Sequence, residues 1–205
     1  DRLMVVLATK CYVDGDARER ALDGLGSLIE NAVGDLDVTY EVGLRDDEFP
    51  SVTVEGDDAV AARNLLREEW GAITPDLEAG ETYVGTLESW DEDGFVLDAG
   101  REVRIPAAEI GLGQGSPEQI RTRFGLVQHM PLEFVYDDPP RLSDGQRDQL
   151  YDWRRGSGRV NVNSATRAGH RHRGATRPAR AEYRLYGRHR PAGAAGRYRP
   201  VSAGG

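Results

Sequence analysis

The chain has few of the residues that build redox, metal and membrane-spanning sites. Cys11 is the one cysteine in 205 residues, which excludes an internal disulfide framework and a CxxC metal motif. The apolar run at residues 3–13 contains Lys10, is about half as long as a membrane span and resembles no cleaved leader. We therefore expect a core strand here, a reducing cytoplasmic location and no membrane association.

Lysine is almost absent, since Lys10 is the only one among 26 basic residues. Residues 1–167 carry 34 acidic side chains against 17 basic ones, whereas residues 168–205 carry nine arginines against Glu182. The acidic body resembles a haloarchaeal proteome, because molar salt shortens the Debye length to about 3 Å and screens self-repulsion. A GC-rich genome that favours arginine codons is the alternative, but it would not explain the excess of acid.

No motif has the spacing that catalysis or cofactor binding requires. His129 has no second histidine, cysteine or paired carboxylate nearby in sequence, so we predict neither a metal ligand nor a base there. The glycines of GLGQGS, residues 111–116, precede a predicted helix but lack the lysine of a Walker loop, which favours a flexible loop over a phosphate site. The sequence thus predicts a protein that is not an enzyme, with no cofactor and no metal.

Residues 4–71 predict a small βαββα domain. An apolar β-branched strand is followed by a helix at residues 17–33, where apolar residues recur every three or four positions and Asp16 is the expected N-cap. Alternating valines then predict two strands that form a hairpin, and DDAVAARNLLREEW predicts a second helix. This order is typical of ferredoxin-like or KH-like α+β folds, but the GxxG loop with which KH domains clamp RNA is missing.

A linker at residues 72–79 leads into a predicted OB-like β-barrel at residues 80–137. Three strands, a short helix with Ser116 and Gln119 as a capping box, and a closing strand follow in that order. Gly85, Gly94 and the run Arg104-Ile-Pro-Ala-Ala-Glu-Ile110 resemble the S1-type RNA-binding barrel. The resemblance implies that outer aromatic side chains stack on bases and basic ones hold phosphate.

Four residues are the candidates for nucleic-acid binding in this barrel: Trp90, Phe95, Arg101 and Arg104. The alternative is that Trp90 and Phe95 fill the barrel and the two arginines are solvated. The shortage of basic charge also departs from the S1 pattern, because phosphate contacts supply most non-specific binding.

Residues 141–167 predict a helix capped by Ser143 and a short strand with Val160 and Val162, the start of an incomplete third domain. Residues 168–205 form a predicted disordered tail rich in Arg, Gly and Ala. The tail is interpreted either as a basic arm that binds phosphate or as a frameshift product. Arginine codons read one base later encode Val, Ala, Asp, Glu or Gly, and the shifted string is acidic and aliphatic like the body.

Residues 4–167 resemble an archaeal family described as domain of unknown function 2110, through LATKCYVDGDARERAL, RIPAAEIGLGQGSPEQIRTRFGLVQHMPLEFVYDDPPRLSD and GRVNVNSATRA. The resemblance implies no catalytic residues. Two functions follow from the sequence. The first is an RNA-associated module that contacts RNA or an RNA–protein complex through the S1-like barrel. The second is a non-catalytic adaptor that pairs with other proteins.

Overall fold

The computed structural model describes residues 1–155; the predicted strand at Val160 and Val162 and the tail at 168–205 lie outside this range. The chain is α+β, as predicted, with one sheet in each half. The first half contains β1 (Arg2–Val6), α1 (Gly15–Val33), β2 (Thr39–Leu44), β3 (Pro50–Glu55) and α2 (Ala59–Trp70). The second contains β4 (Thr82–Asp91), β5 (Gly94–Asp98), β6 (Glu102–Pro106), α3 (Pro117–Phe124), β7 (Pro131–Val135), β8 (Arg141–Leu142) and α4 (Asp144–Arg155).

The first sheet has the order β1-β3-β2 and is antiparallel throughout. Its strands alternate in burial, so that Tyr40, Val42 and Leu44 of β2 point into the core. The Tyr40 hydroxyl donates to Glu30 of α1 at 2.9 Å, which ties the helix to this face. Helix α1 begins at Gly15, two residues before the predicted start, and its N-cap is Asp14 instead of Asp16.

The second sheet has the order β6-β5-β4-β7-β8, again antiparallel, and its outermost strands β6 and β8 contact each other. This curling makes the barrel-like domain that the sequence predicted. The predicted capping box of α3 is present, because Gln119 N donates to Ser116 Oγ at 3.2 Å and Ser116 N donates to Gln119 Oε1 at 2.9 Å. Gly125 ends the helix with a φ of 69°.

Residues 141–155 pack onto the barrel, although the sequence assigned them to a separate third segment. Strand β8 pairs with β7 through Phe134 and Leu142. Helix α4 buries Leu150 and Trp153 in the same core cluster as the barrel strands. The Ser143 hydroxyl accepts a hydrogen bond from Gln146 N at 3.1 Å, as expected of its N-cap position.

The connection between the two halves pairs with the edge of the first sheet. Leu7 and Ala72 form an antiparallel bridge. Ile73 N donates to Val6 O at 2.8 Å, and Ala8 N donates to Gly71 O at 3.1 Å. This pairing brings the end of β1, and the loop that follows it, against β4 and β5 of the barrel.

Candidate functional site at the domain interface

The aromatic residues predicted to bind nucleic acid lie on the core side of the barrel sheet. Phe95 has no exposed surface, so no base can stack on its ring in this arrangement. Trp90 lies directly opposite Phe95 in the register of β4 and β5 and is partly buried against the same core. The Arg121 guanidinium lies over the Trp90 ring, 4.5 Å from its centroid.

The two predicted arginines lie elsewhere. Arg104 pairs with Val96 on the outer face of β5 and β6, and its Nε contacts Glu102 Oε2 at 3.0 Å. Arg101 follows the far end of β5 and donates to the Tyr136 hydroxyl at 3.4 Å. The four predicted residues therefore do not form one surface, and a nucleic-acid role for Trp90, Arg101 and Arg104 stays a prediction.

The glycine-rich loop at residues 111–116 binds an arginine through its carbonyl groups. Arg123 of α3 donates to Gln114 O at 2.6 Å and to Leu112 O at 3.3 Å. The carbonyl oxygens of the loop thus accept hydrogen bonds from an arginine of the same domain.

The interface contains a polar cluster that the sequence reasoning did not select, centred on Lys10. This side chain is 7% exposed, and its Nζ lies 2.9 Å from Asp98 Oδ2 and 3.2 Å from Glu88 Oε1. Lys10 follows β1 in the first domain, whereas Glu88 and Asp98 belong to β4 and β5 of the barrel. One ammonium group therefore joins the two domains through two carboxylates.

The second oxygen of Glu88 is also engaged. Glu88 Oε2 accepts a hydrogen bond from Thr86 Oγ1 at 2.7 Å and lies 3.2 Å from His129 Nδ1. The His129 ring stacks with Tyr12 of the first domain, with 4.4 Å between ring centroids. The cluster therefore spans the interface from the buried Lys10 to a Tyr12–His129 pair at its margin.

Backbone irregularities aim the barrel side chains of this cluster. The register of β4 and β5 shifts between Leu87 and Ser89, which makes Glu88 the extra residue of a β-bulge. His129 has a φ of 71°, unusual for a residue with a side chain, and its N–H donates to Leu87 O at 2.6 Å. The bulge and the left-handed residue bring the carboxylate and the imidazole together.

Neighbouring charges and hydrogen bonds keep Lys10 and Glu88 ionised. Burial alone would lower the pKa of Lys10, but the hydrogen bond and charge of Asp98, together with Glu88, outweigh it and raise that pKa. Burial would raise the pKa of Glu88, but His129, Thr86 and Lys10 lower it overall. Lys10 and Glu88 therefore form an ion pair whose two members both stay charged at neutral pH.

Cys11 lies next to Lys10 and is inert. Its side chain is fully buried, and burial raises the pKa of the thiol to about 11. The thiol therefore stays protonated at neutral pH, and it is a weak nucleophile because only the thiolate reacts strongly.

Apolar contacts complete the interface around Lys10. Ala8, Phe49 and Ile73 form a buried cluster, against which Val84 of β4 packs. Gly100, in the β5–β6 turn, has a φ of 90°, and a Cβ built there would lie 2.7 Å from Ile73 Cγ2. Close packing of the turn against the first domain therefore requires glycine at this position.

A groove with a volume of about 720 Å³ lies beside this interface. Its floor includes Val84 and Glu133, which are paired neighbours on the outer face of β4 and β7. One wall is the end of α2 with Glu68 and Trp70, and the opposite wall is the start of α4 with Gln149. The groove exists because the two domains and α4 are held side by side.

Two kinds of site are missing from residues 1–155. No group of three or more His, Cys, Asp or Glu side chains in this part of the chain could hold a metal ion. No helix within the same range is long and apolar enough to cross a membrane.

One sequence signal could have identified the cluster. Lys10 is the single lysine in a chain whose other basic residues are all arginine, and it lies inside an apolar run. Glu88, Asp98 and His129 carried no comparable signal, because their proximity depends on the bulge and on the docking of two domains.

Two family models match the chain. The model described as DUF2110 N-terminal domain matches residues 4–76, and the model described as DUF2110 central domain matches residues 77–154. The two matches meet within the predicted linker and together cover most of the chain. No curated protein matches it.

Proposed function

The chain belongs to the DUF2110 family, and from its geometry we propose that it is a non-catalytic module that binds other proteins. The observation that carries the proposal is the groove between α2, the outer face of β4 and β7, and the start of α4. Concave sites between domains are where proteins preferentially bind their ligands. The proposal retains the expected cytoplasmic location and halophilic archaeal source.

The interface supports this proposal because it makes the groove a preformed site. Lys10 is paired with Glu88 and Asp98 across the interface, so both groove walls belong to one connected unit. A rigid site loses less conformational entropy on binding than one that must assemble around its partner.

Charge favours a protein partner over a nucleic acid. Residues 1–155 carry 34 acidic and 15 basic side chains. Phosphate contacts supply a large share of nucleic-acid affinity, and this excess of carboxylates opposes them. Part of the barrel's outer face is also occupied, because Lys10 and Ile73 of the first half lie against β4, β5 and the turn that follows β5.

The test uses a photo-crosslinking amino acid introduced into the full chain and expressed in its native cells. We expect one polypeptide to be captured from position Gln149 on the groove wall. Glu92, exposed in the β4–β5 turn, is the control position and should not capture it. The proposal fails if position 149 captures no polypeptide, or if both positions capture the same set.

An RNA-associated role is the second candidate, and Trp90 is the observation that favours it. Its partly exposed indole with the Arg121 guanidinium 4.5 Å away presents two planar groups on which a base could stack. RNA should then crosslink within residues 80–137 in about 1 M KCl, where long-range attraction is screened. Absence of such crosslinks would eliminate this candidate.

A further inference from the structure

We propose that the groove between α2, β4, β7 and α4 binds a cationic peptide segment, rich in arginine or lysine, of a partner protein. This inference rests on the proposed function and adds the chemical class of the partner. The first observation is the charge of the groove. Among residues 1–155, the carboxylates Glu68, Glu69 and Glu133 line it, against the cation Arg67.

Glu133 is the carboxylate best placed for recognition. Its Oε1 accepts a hydrogen bond from the Ser143 hydroxyl at 2.6 Å, and its backbone N–H donates to Gln146 Oε1 at 2.8 Å. The Ser143 contact holds the carboxylate at the floor of the groove, and the Gln146 contact ties β7 to α4. In the described part of the chain, no cation forms an ion pair with it, so the groove presents a fixed negative group that a guanidinium or ammonium can pair with.

The apolar part of the groove fits the rest of such a side chain. Val84 lies opposite Glu133 on the neighbouring strand, and Tyr83, Trp70 and Pro131 also line the site. Arginine and lysine bury their methylene stems against apolar surface while the charged head reaches a polar group. A stem lying over Val84 would bring the head to Glu133.

The groove also offers polar groups suited to a peptide backbone. Thr74 and Thr82 lie on the side of the linker and β4, and Gln149 lies on α4. Hydroxyl and amide side chains can donate to and accept from backbone groups. The combination of carboxylates, an apolar floor and amide or hydroxyl walls favours a cationic peptide over a small polyamine, which has no backbone amides to satisfy.

The test measures binding of labelled peptides to the full chain by fluorescence anisotropy. The probe is a nine-residue peptide with arginine at alternate positions, and its matched counterpart carries neutral citrulline instead. The buffer contains about 1 M KCl, because screening beyond about 3 Å suppresses general attraction to the acidic body and leaves direct pairs. We expect the arginine peptide to bind at least about tenfold more tightly than the citrulline peptide.

Matched variants localise the binding. The double variant Glu68→Gln/Glu133→Gln should weaken binding about tenfold, and the amide introduced at position 133 can still accept the Ser143 hydrogen bond. Glu19→Gln/Glu92→Gln removes two exposed charges on α1 and the β4–β5 turn, away from the groove, and should leave binding within about twofold. Equal losses in the two variants would overturn the groove assignment.

Two outcomes separate this inference from the proposed function. If position Gln149 captures a protein without a basic segment, or if the citrulline peptide binds as well as the arginine peptide, the cationic class is wrong and the binding module stands. If spermidine, a trication, competes as strongly as a peptide that contains three arginines, the peptide backbone contributes nothing and the inference fails. If neither peptides nor a captured protein engage the groove, both proposals fail.

Discussion

The two sheets of this protein differ in what lies on their outer faces. On the first sheet, Met4, Thr53 and Glu41 are aligned across β1, β3 and β2, and Met4 is 62% exposed. On the barrel sheet, Thr86 is completely buried although it also points away from the core. The difference arises because Lys10, Ala8 and Ile73 of the first half cover the outer face of β4 and β5.

Lys10 allows the polar outer face of β4 and β5 to be buried. Glu88 and Asp98 would be costly to cover with an apolar neighbour, because a buried carboxylate needs a partner. Lys10 supplies one charge to both, and Thr86 and His129 engage the remaining oxygen of Glu88. On the first sheet, by contrast, the outward-facing Met4 stays 62% exposed.

The largest effect is expected for Lys10→Met, which removes the ammonium and leaves Glu88 and Asp98 against each other. Breaking a fully buried pair costs about 3–5 kcal/mol. The two carboxylates are 24% and 28% exposed, so we expect a smaller loss of about 2–3 kcal/mol in the free energy of unfolding. Thermal unfolding should show a melting temperature about 5–10 °C lower.

Met4→Gln, on the uncovered sheet face, is the control for Lys10→Met. Because Met4 is largely exposed, its replacement should change the free energy of unfolding by less than about 0.5 kcal/mol. Equal stability losses in the two variants would show that the two faces do not differ as described.

A smaller effect is expected for Gly100→Ala, which tests how closely the barrel turn packs on the first domain. Its Cβ would come within 2.7 Å of Ile73 Cγ2, whereas a Cβ at Gly80 would meet nothing within 4 Å. Their φ values, 90° and 86°, are similar, so both alanines should lose about 1–2 kcal/mol to backbone strain. Gly100→Ala should lose about 1–3 kcal/mol more in denaturant unfolding; identical losses would argue against close packing there.

The smallest effect is the pH dependence contributed by Glu88. Its pKa is lowered in the folded protein from the ordinary value of 4.5. The stability that it contributes is therefore fully present above pH 4.5 and is lost as the pH falls through the lower folded value. The stability difference between the native protein and Glu88→Gln should be constant well above pH 4.5 and should shrink as the pH falls below 4.5 in urea titrations. A difference independent of pH would contradict the ion pair.

The sequence predicts correctly those elements whose signals lie within a few neighbouring residues. The capping box at Ser116 and Gln119 depends on residues three apart and forms as predicted. The order of strands and helices through β7 follows from apolar alternation and helical spacing. The start of α1 was placed two residues late, since Asp14 and Asp16 are equally suitable cap residues by type.

The candidate site was much less predictable. Trp90 and Phe95 are candidates for base stacking because they are aromatic residues of a barrel, and the alternative is that they fill it. Phe95 has no exposed surface and fits the alternative. Lys10 was noticed only as an interruption of an apolar run. The sequence does not indicate Glu88 and Asp98 as a pair, because they lie ten positions apart and a β-bulge turns Glu88 toward its partners. Their shared partner Lys10 also lies in the other domain.

The α+β class, the order of the strands and helices through β7 and the acidic charge can be read from the sequence, because composition, periodicity and caps act over a few residues. Tertiary structure decided that 141–155 would pack onto the barrel, that Phe95 would be buried, and that one lysine would join two domains beside an open groove. These outcomes depend on contacts between distant residues, whose energies exist only once the domains dock and water is excluded.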